Sequence, residues 1–362
     1  MRNKTRISAR LEGLFLAAIF VVVGSWAKAA SSGVGAAAPV RLEVLETRRI
    51  WDAAAHNAFT DLIHWRGTWW CTFRESAGHV GGDGAIRVLS SRDGVEWVSA
   101  AYLVAPGADL RDPKFSVTPQ DRLMINCGSS FYEGKKLKGR VSLVMFSDDG
   151  LAWTKPVPVV GPNEWLWRVT WHEGVAYGAA YDNFPQRQVA SWSKKPDGVL
   201  KLYRSTDGIQ WKPITRLRVE GRPNETTLRF TSDGKMLALV RREDPDDPMG
   251  FVGTSAPPYK KWQWSKSNYR FGGQNAIQLT SGEWVVGTRD YSQMKVKGSW
   301  AGAASIVAQL GDDGRLAPLV TLPSGGDCSY PGMVQIKDQV WISYYSSHEG
   351  KAAIYLAKLR VL

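Results

Sequence analysis

A seven-residue pattern, Ser-x-Asp-Gly-x-x-Trp, occurs three times along the chain, and its spacing constrains the fold more than any other feature. The copies begin at Ser91, Ser147 and Ser205, at intervals of 56 and 58 residues. In each copy the Asp-Gly pair suits a tight turn, because glycine readily adopts positive φ and aspartate accepts hydrogen bonds from nearby backbone amides. A repeat of about fifty residues is typical of propeller blades.

The residues around each copy have the composition of β-strands. A run of residues with high β-propensity precedes every copy, at 85–89, 142–146 and 199–203. In the first unit, two further strands around a polar turn occupy 59–73. Each unit is therefore predicted to be a four-stranded antiparallel meander. The period continues where the pattern decays, through further units at 226–255, 275–314 and 332–362. The sequence thus predicts an all-β fold, a six-bladed β-propeller.

The two ends of the chain complete one another in this prediction. The sixth unit reaches the C-terminus one strand short, and the β-type segment 41–51 near the N-terminus can supply the missing outer strand. We therefore predict one propeller domain over 41–362, closed by N- and C-terminal strands. The small residues of 30–40 indicate a flexible leader.

The first 29 residues have the features of a secretory signal peptide. Four basic residues precede an apolar stretch at 14–24 that is too short to span a bilayer, and Ala27-Lys28-Ala29 matches a small-x-small cleavage site. We expect cleavage after Ala29 and export to the periplasm or the medium, with no membrane insertion of the mature chain.

Charge and cysteine content narrow the function classes. The predicted signal peptide carries five basic residues and one acid, so its removal lowers the formal net charge from +12 to +8. Such a charge favours anionic ligands, but no Lys/Arg run or RNA-binding aromatic motif indicates nucleic acid.

The three cysteines lack metal-ligand spacing, and we predict no metal ion and no cofactor. A disulfide between Cys71 and Cys127 is compatible with export, and three buried thiols are the alternative. The sequence indicates no oligomeric state.

One end of a propeller's channel is surrounded by the starts of the innermost strands and the ends of the strands that follow them. The predicted strand starts recur every 50 to 57 residues, at Asn57, Asp112, Arg168, Glu225, Asn275 and Tyr330. The predicted second-strand ends carry Arg74, Asp182, Arg241, Arg289 and Tyr345. One rim of the channel is therefore predicted to collect acids, arginines and tyrosines.

The repeated pattern resembles the Asp box of the sialidases (neuraminidases), which are six-bladed propellers. Three further segments, at 222–242, 285–291 and 327–350, resemble sialidase segments that carry site residues. The resemblance implies Tyr330 and Glu225 as a catalytic pair, and Arg241 and Arg289 as ligands of the substrate's anionic group. It also implies Asp83, in the loop before the first repeat, as the acid/base.

The chain departs from the sialidase pattern in its first blade. Sialidases carry there one of three arginines that clamp the substrate's carboxylate, whereas this chain has Asn57. An Asn side chain donates hydrogen bonds but no charge. Arg74, on the next strand, is a candidate to reach inward instead. Asp112, on the innermost strand of the second blade, is a rival acid or a ligand for a substrate hydroxyl.

The resemblance implies a retaining exo-glycosidase that acts on terminal sialic acid or a related acidic sugar. A carboxylate nucleophile would be repelled by the substrate's own carboxylate, whereas a neutral phenol would not, and sialidases use a Tyr nucleophile. Glu225 would take the proton of Tyr330, which forms the glycosyl intermediate. Asp83 would protonate the leaving oxygen and then activate water.

Two other function classes remain open at this point. One is a polysaccharide lyase or hydrolase acting on uronic-acid glycans, in which His56, His79 or Tyr330 abstracts the proton next to a carboxylate. The other is a glycan-binding propeller without turnover. In each case the expected partner is an acidic glycan or glycoconjugate.

Overall fold

The computed structural model of the chain describes residues 39–82, 84–134, 136–182, 198–294 and 300–362. Within these ranges the regular structure consists of 24 β-strands and contains no α-helix. Accordingly, the described residues include no helix with the length and apolar character needed to cross a membrane.

The strands, numbered in chain order, form six four-stranded antiparallel sheets. Strand β1 (Leu42–Trp51) belongs to the last blade. Blade one contains β2 (His56–Trp65), β3 (Thr68–Ser76), β4 (Ala85–Ser91) and β5 (Val98–Leu103). Blade two contains β6 (Asp109–Val117), β7 (Leu123–Glu133), β8 (Lys136–Ser147) and β9 (Val157–Val159). Blade three contains β10 (Glu164–His172), β11 (Val175–Asp182), β12 (Val199–Ser205) and β13 (Lys212–Arg216).

The second half of the chain repeats this order. Blade four contains β14 (Pro223–Phe230), β15 (Met236–Arg242), β16 (Phe251–Ser255) and β17 (Gln263–Lys266). Blade five contains β18 (Asn275–Gln278), β19 (Trp284–Asp290), β20 (Ala304–Leu310) and β21 (Leu316–Leu322). Blade six contains β22 (Cys328–Ile336), β23 (Gln339–Ser346), β24 (Ala353–Val361) and, as its outer strand, β1. The prediction of an all-β six-bladed propeller is confirmed.

The ring closes through the last blade. Strand β1 pairs antiparallel with β24, from Leu42 opposite Val361 to Trp51 opposite Ile354. The outer strand of blade six therefore comes from the N-terminal end of the described chain and its other three strands from the C-terminal end. This arrangement confirms the predicted closure by both ends, and it ties the first described strand to the last by backbone hydrogen bonds.

The repeated turns have a geometry that explains their sequence. Gly94 has φ +71°, and Asp93 Oδ1 accepts hydrogen bonds from the amides of Val95 (2.8 Å) and Glu96 (3.0 Å). Trp97 folds back and donates from Nε1 to the carbonyl oxygen of Gly94 at 3.2 Å. The same set of bonds recurs in the second and third copies, around Asp149 and Asp207.

Each of these turns packs against an aromatic side chain of the preceding blade. A Cβ placed on the turn glycine of blade one, two or three would lie 2.1, 2.2 or 3.1 Å from the ring of Trp341, Trp70 or Phe146, respectively. The glycine is therefore needed for two reasons, its positive φ and the close approach of the preceding blade. The repeat thus joins neighbouring blades as well as neighbouring strands.

The three cysteines are buried free thiols. Cys71 lies on β3 of blade one and Cys127 on β7 of blade two, and no disulfide joins them. Burial raises the pKa of both thiols well above the ordinary value. The alternative of three buried thiols is the one that the structure contains.

Candidate active site

The innermost strands share an irregularity at the level where the channel opens. Five of the six carry a register shift there, between Ala58 and Asp61, Arg111 and Lys114, Leu166 and Val169, Pro223 and Thr226, and Ser329 and Gly332. Phe59, Asp112 and Tyr330 lie within these shifts and have φ of +65°, +52° and +55°. A bulge redirects a side chain and is frequent beside active sites. The shifts bring these three side chains into a common cleft.

The cleft at this end of the channel encloses about 220 Å³. Its charged lining consists, among the described residues, of four arginines and three carboxylates, namely Arg111, Arg140, Arg241, Arg289, Asp112, Glu225 and Glu243. Aromatic side chains form much of the remaining wall, namely Phe59, Trp165, Tyr181, Trp300 and Tyr330, joined by His79 and Asn224. These charges leave one net positive charge before the histidine is counted, so the cleft suits a polar ligand with an anionic group.

Tyr330 and Glu225 form the centre of the cleft. The Tyr330 hydroxyl donates to Glu225 Oε1 at 2.6 Å and accepts from Arg241 Nη1 at 3.1 Å. Arg241 Nη1 also lies 2.8 Å from Glu225 Oε1. The three residues come from β22, β14 and β15, so blades four and six meet here. The predicted catalytic pair and one predicted arginine are within hydrogen-bonding distance of one another.

Backbone from blade five fixes the carboxylate and the ring. The amide of Gly273 donates to Glu225 Oε2 at 3.0 Å. Gly273 has φ +60°, and a Cβ there would lie 2.3 Å from Cδ2 of Tyr330. Phe59 packs on the ring of Tyr330 with centroids 5.1 Å apart and planes at 61°. Tyr330 is therefore held in one position, with its hydroxyl directed at Glu225.

The surroundings keep the Tyr330 phenol protonated. Burial and the negative charge of Glu225 raise the pKa of Tyr330 well above its ordinary value, and Arg241 only partly offsets them. The phenolic proton therefore stays on Tyr330 in the resting site, where it is hydrogen-bonded to a carboxylate that can accept it. A weak nucleophile paired with an adjacent base is the arrangement that covalent catalysis requires.

Arg241 is shared between two carboxylates. Its Nη1 contacts Glu225, and its Nη2 donates to Glu243 Oε1. Glu243 in turn accepts from Arg270 Nη2 at 2.8 Å. These arginines, against the opposing effect of burial, hold the pKa of Glu243 below its ordinary value. Sequence reasoning missed Glu243, although it follows the arginine pair at the end of β15, where the strand enters the cleft.

Arg289 lines the cleft while most of its donors are used within the protein. Its Nε donates to the carbonyl oxygen of Cys328 at 2.8 Å, and Nη2 donates to the Tyr345 hydroxyl at 3.1 Å. Nη1 donates to the Tyr291 hydroxyl at 3.2 Å. The guanidinium also lies 4.4 Å from the centroid of the Trp300 ring. Arg289 is thus a rigid positive charge at the wall of the cleft.

A second hydrogen-bonded cluster adjoins Arg289. His79 Nδ1 lies 2.6 Å and His56 Nε2 lies 3.3 Å from Asp327 Oδ2, and Tyr345 donates to Asp327 Oδ1 at 2.7 Å. Despite burial, which acts the other way, the two histidines and Arg289 hold the pKa of Asp327 far below its ordinary value. The two histidines and this carboxylate are also close enough to offer three ligand atoms to one metal ion. His79 is the member of this cluster that lines the cleft.

Asp112 lies in the cleft with an altered acidity. Burial raises the pKa of the Asp112 carboxyl group. The positive charges of Arg111 and Lys114 oppose this rise, and the negative charge of Glu225 adds to it. Arg111 lines the same wall, and its Nη1 donates to the carbonyl oxygen of His79 at 2.8 Å. Arg111 therefore supplies a positive charge from blade two.

The two predicted first-blade residues lie elsewhere. The side-chain Nδ2 of Asn57 donates to the carbonyl oxygens of Ala54 and Ala352, at 2.9 Å each, so this side chain connects the first blade to the last. Arg74 is fully buried in an ion pair with Asp109 at 2.7 Å. Neither side chain lines the cleft. Asp83 lies outside the described residues.

Comparison with known proteins gives matches among solved structures. No protein-family model matches the chain, and no curated protein matches it. A protein of unknown function from Dyadobacter fermentans is 19% identical, with a TM-score of 0.72 over 89% of this chain and 99% of that one. The α-L-arabinofuranosidase of Fusarium graminearum, solved with an iminosugar inhibitor, is 16% identical, with a TM-score of 0.65 over 88% and 98%.

The sialidase of Trypanosoma rangeli, solved with sialic acid, is similar in the same way. It is 13% identical, with a TM-score of 0.62 over 89% of this chain and 59% of the sialidase chain. The α-L-arabinanase of Penicillium chrysogenum, solved with arabinobiose, gives a TM-score of 0.65 at 12% identity over 88% of this chain and 100% of that one. At these identities the likeness establishes the fold. The chain thus has the six-bladed β-propeller fold, and it is similar in structure to the arabinofuranosidase, the arabinanase and the sialidase.

Proposed function

We propose that the chain is a retaining exo-glycoside hydrolase that removes a terminal acidic sugar, sialic acid or a relative, from a glycan. The observation that carries this proposal is the 2.6 Å hydrogen bond from the Tyr330 hydroxyl to Glu225 Oε1 inside a cleft rich in arginine. Three of the solved structures with this fold are named as glycoside hydrolases, which supports the same reaction class.

In the first half of the reaction, the Tyr330 oxygen bonds to the anomeric carbon while the bond from that carbon to the leaving oxygen breaks. Glu225 takes the phenolic proton, and a general acid protonates the leaving oxygen. In the second half, the deprotonated general acid takes a proton from water, and the water oxygen bonds to the anomeric carbon as the bond to the Tyr330 oxygen breaks. The phenol then regains its proton from Glu225. Arg241 contacts the Tyr330 oxygen and stabilises the negative charge that develops there.

Asp83 and Asp112 compete for the role of general acid. Asp83 was assigned to it by resemblance, and that assignment stays a prediction. Asp112 lines the cleft, and its raised pKa increases the fraction of protonated carboxyl available to donate a proton. Asp83→Asn and Asp112→Asn, assayed with leaving groups of different basicity, distinguish them. Removing the residue that acts as the general acid should lower kcat/KM most for substrates with poor leaving groups.

The anionic group of the sugar is assigned to Arg289 and Arg111 together with Arg241. Arg289 and Arg111 both line the cleft, so both place a positive charge at its wall. Arg241 already holds Glu225 and Glu243, so a substrate carboxylate that reaches it must compete with Glu243. This competition favours sugars whose anionic group lies toward Arg289.

A panel of aryl glycosides tests the proposal. It contains sialic acid, a second ulosonic acid, glucuronic acid and arabinofuranose as the glycone, and NMR identifies the first-formed anomer. We expect release from an acidic glycone with retained configuration. Tyr330→Phe should lower kcat/KM at least about 1,000-fold and remain folded, because Glu225 keeps its contacts with Arg241 and Gly273.

Tyr344→Phe is the matched control. Tyr344 is also buried, and its hydroxyl donates to the carbonyl oxygen of Pro323, which does not line the cleft. Its removal should leave kcat/KM within a few-fold of the unmodified chain. Full activity of Tyr330→Phe on a substrate of the chain, or product of inverted configuration, would contradict the proposal. Binding of an acidic glycan without turnover of the panel would favour the binding propeller.

A lyase acting on uronic-acid glycans is the second candidate, favoured by the position of His79. Its ring lines the cleft, and Asp327 engages Nδ1 at 2.6 Å, so Nε2 is left to take the proton next to a uronate carboxyl group. The bond to the leaving oxygen would break as a carbon–carbon double bond forms. Ultraviolet absorbance of the unsaturated uronate distinguishes this product from that of hydrolysis.

We also propose export. Residues 1–29 would act as the signal peptide and be removed after Ala29. Mass spectrometry of protein recovered from the periplasm or medium checks this, and retention of residues 1–29 would contradict it.

A further inference from the structure

The opposite end of the propeller channel holds a second cavity, of about 320 Å³. No described residue lines both this cavity and the candidate active site. Its polar lining includes Asp61, Ser116, Arg168, Thr170 and Arg229. We call it the lower cavity.

The charges around the lower cavity do not balance. Asp61 is the one carboxylate among its described lining residues, and both of its oxygens accept from Arg168 Nη1 at 2.9 Å. Among the described residues Arg229 has no carboxylate partner, since it donates to carbonyl oxygens, to a threonine hydroxyl and to the amide oxygen of Asn275. Lys114, deeper in the channel, donates to the carbonyl oxygen of Thr60 at 3.0 Å. Two arginines of the described lining therefore share one carboxylate, whereas Lys114 also feels the opposite charges of Asp112 and Glu225.

Burial and neighbouring positive charge lower the pKa values of two of these cations. Burial and the neighbouring Arg168 lower the pKa of Lys114 to about 8, although Asp61 opposes the effect. Burial and Arg168 likewise lower the pKa of Arg229 to about 9. Uncompensated buried positive charge is unfavourable, and a bound anion would relieve it.

Three buried donors of the lower cavity have no partner among the described residues. They are Nε of Arg168, the hydroxyl of Ser116 and Nε1 of Trp171. The Arg168 side chain is 4% exposed, and one edge of its guanidinium is occupied by Asp61. Buried donors in folded proteins nearly always find an acceptor. A water molecule could accept these hydrogen bonds but would leave the charge uncompensated.

We propose that the lower cavity binds a small free oxyanion of the phosphate or sulfate class, held by Arg168 and Ser116 with Arg229 as a further positive charge. Such an anion accepts from the free edge of Arg168 as guanidinium groups commonly donate to oxyanions. It contacts the innermost strands of blades two, three and four at once, since Ser116, Arg168 and Arg229 lie on β6, β10 and β14. Its role is to stabilise the ring from the end opposite the catalytic cleft.

Thermal unfolding of the mature chain in different salts gives the first test. Phosphate or sulfate at millimolar concentration should raise the unfolding midpoint by several degrees over chloride at equal ionic strength, because a ligand of the native state stabilises it. A monophosphate ester of a sugar is the second arm, and a larger effect of the ester would assign the site to a glycan substituent instead of a free ion. Equal midpoints in all salts would overturn the proposal.

A carboxylate placed at Ser116 mimics the anion. Ser116→Asp should unfold at a higher midpoint than the size-matched neutral Ser116→Asn in chloride, and its midpoint should no longer respond to phosphate. An Asp variant that is no more stable than the Asn variant, with the phosphate response intact, would contradict the proposal.

Crystals soaked in selenate locate the anion in the unmodified chain, independently of any variant. We expect an anomalous peak beside Arg168. A peak confined to the arginines of the catalytic cleft would overturn the assignment, because it would attribute the phosphate response to that cleft.

Discussion

Replacing Asp61 with asparagine should destabilise the propeller more than most single substitutions. Asp61 is 2% exposed. Its Oδ1 and Oδ2 accept from Arg168 Nη1, and Oδ2 also accepts from the amide of Phe115 at 2.8 Å. These bonds join the innermost strands of blades one, two and three. Asparagine keeps the size and one acceptor oxygen but removes the only carboxylate charge that faces Arg168 in the described lower cavity.

The magnitude follows from the unpaired charge. Removing one partner of a buried ion pair typically costs about 3–5 kcal/mol, because the other charge stays buried without compensation. The bond from the Phe115 amide, worth about 1 kcal/mol, is retained if the asparagine oxygen takes the place of Oδ2. We therefore expect Asp61→Asn to lower the free energy of unfolding by about 3–5 kcal/mol.

Chemical denaturation followed by tryptophan fluorescence measures this change, since the chain contains 17 tryptophans. The matched control is Asp61→Asn combined with Arg168→Met, which removes the unpaired charge and should recover much of the lost stability. If Asp61→Asn changes the free energy of unfolding by less than about 1 kcal/mol, or if the double variant is no more stable than the single one, the argument from buried charge is refuted.

Three further predictions concern the turns, the acid limb and the thiols. Gly174→Ala should lower the free energy of unfolding by about 1–2 kcal/mol, because an alanine there must adopt a positive φ. Gly94→Ala should lower it by about 1–3 kcal/mol more, because its Cβ would also lie 2.1 Å from Trp341. Equal denaturation midpoints for the two variants would contradict this. Because the pKa of Asp327 is lowered in the folded state, its carboxylate stabilises the protein at pH values above the unfolded pKa of about 3.9, and this stabilisation is lost as the pH falls. Asp327→Asn should therefore make the free energy of unfolding less dependent on pH in the acid range. An unchanged dependence would exclude Asp327 as its origin. A thiol reagent should label three cysteines after denaturation and almost none in the native protein, because all three are buried; rapid native labelling would contradict their burial.

Local sequence signals were sufficient to predict the architecture. The Asp-Gly turn, the preceding β-type run and the recurring spacing each concern residues close together in the chain. Their agreement determined the number of blades, and the missing strand at the C-terminus predicted the closure by segment 41–51. The packing of each turn glycine on an aromatic ring of the preceding blade could not be predicted, because that ring belongs to a different unit of the sequence.

Part of the rim was predicted in the wrong register. The spacing of strand starts placed Asn57 at the channel, but the shift between Ala58 and Asp61 gives that position to Phe59 with φ +65°. A bulge of this kind leaves no reliable mark in a single sequence, since phenylalanine with positive φ is uncommon.

Long-range pairs account for the other differences. Arg74 turns away from the cleft because it pairs with Asp109, on the next blade. His79 and Asp327 are 248 residues apart in the chain, and no spacing rule connects them. Tyr330, Glu225 and Arg241 could be singled out through resemblance, whereas Glu243 and the donor from Gly273 emerged only with the three-dimensional arrangement.

The most direct test of the central claim, that Tyr330 is the nucleophile of a retaining glycosidase, is to trap the glycosyl intermediate. The chain is incubated with a fluorinated, activated derivative of the acidic sugar that it turns over, digested, and analysed by mass spectrometry. The account predicts one glycosyl unit on the peptide that contains Tyr330, and no adduct in Tyr330→Phe. An adduct on Glu225 or on any other residue, or turnover of the sugar with inversion and no adduct, would contradict it.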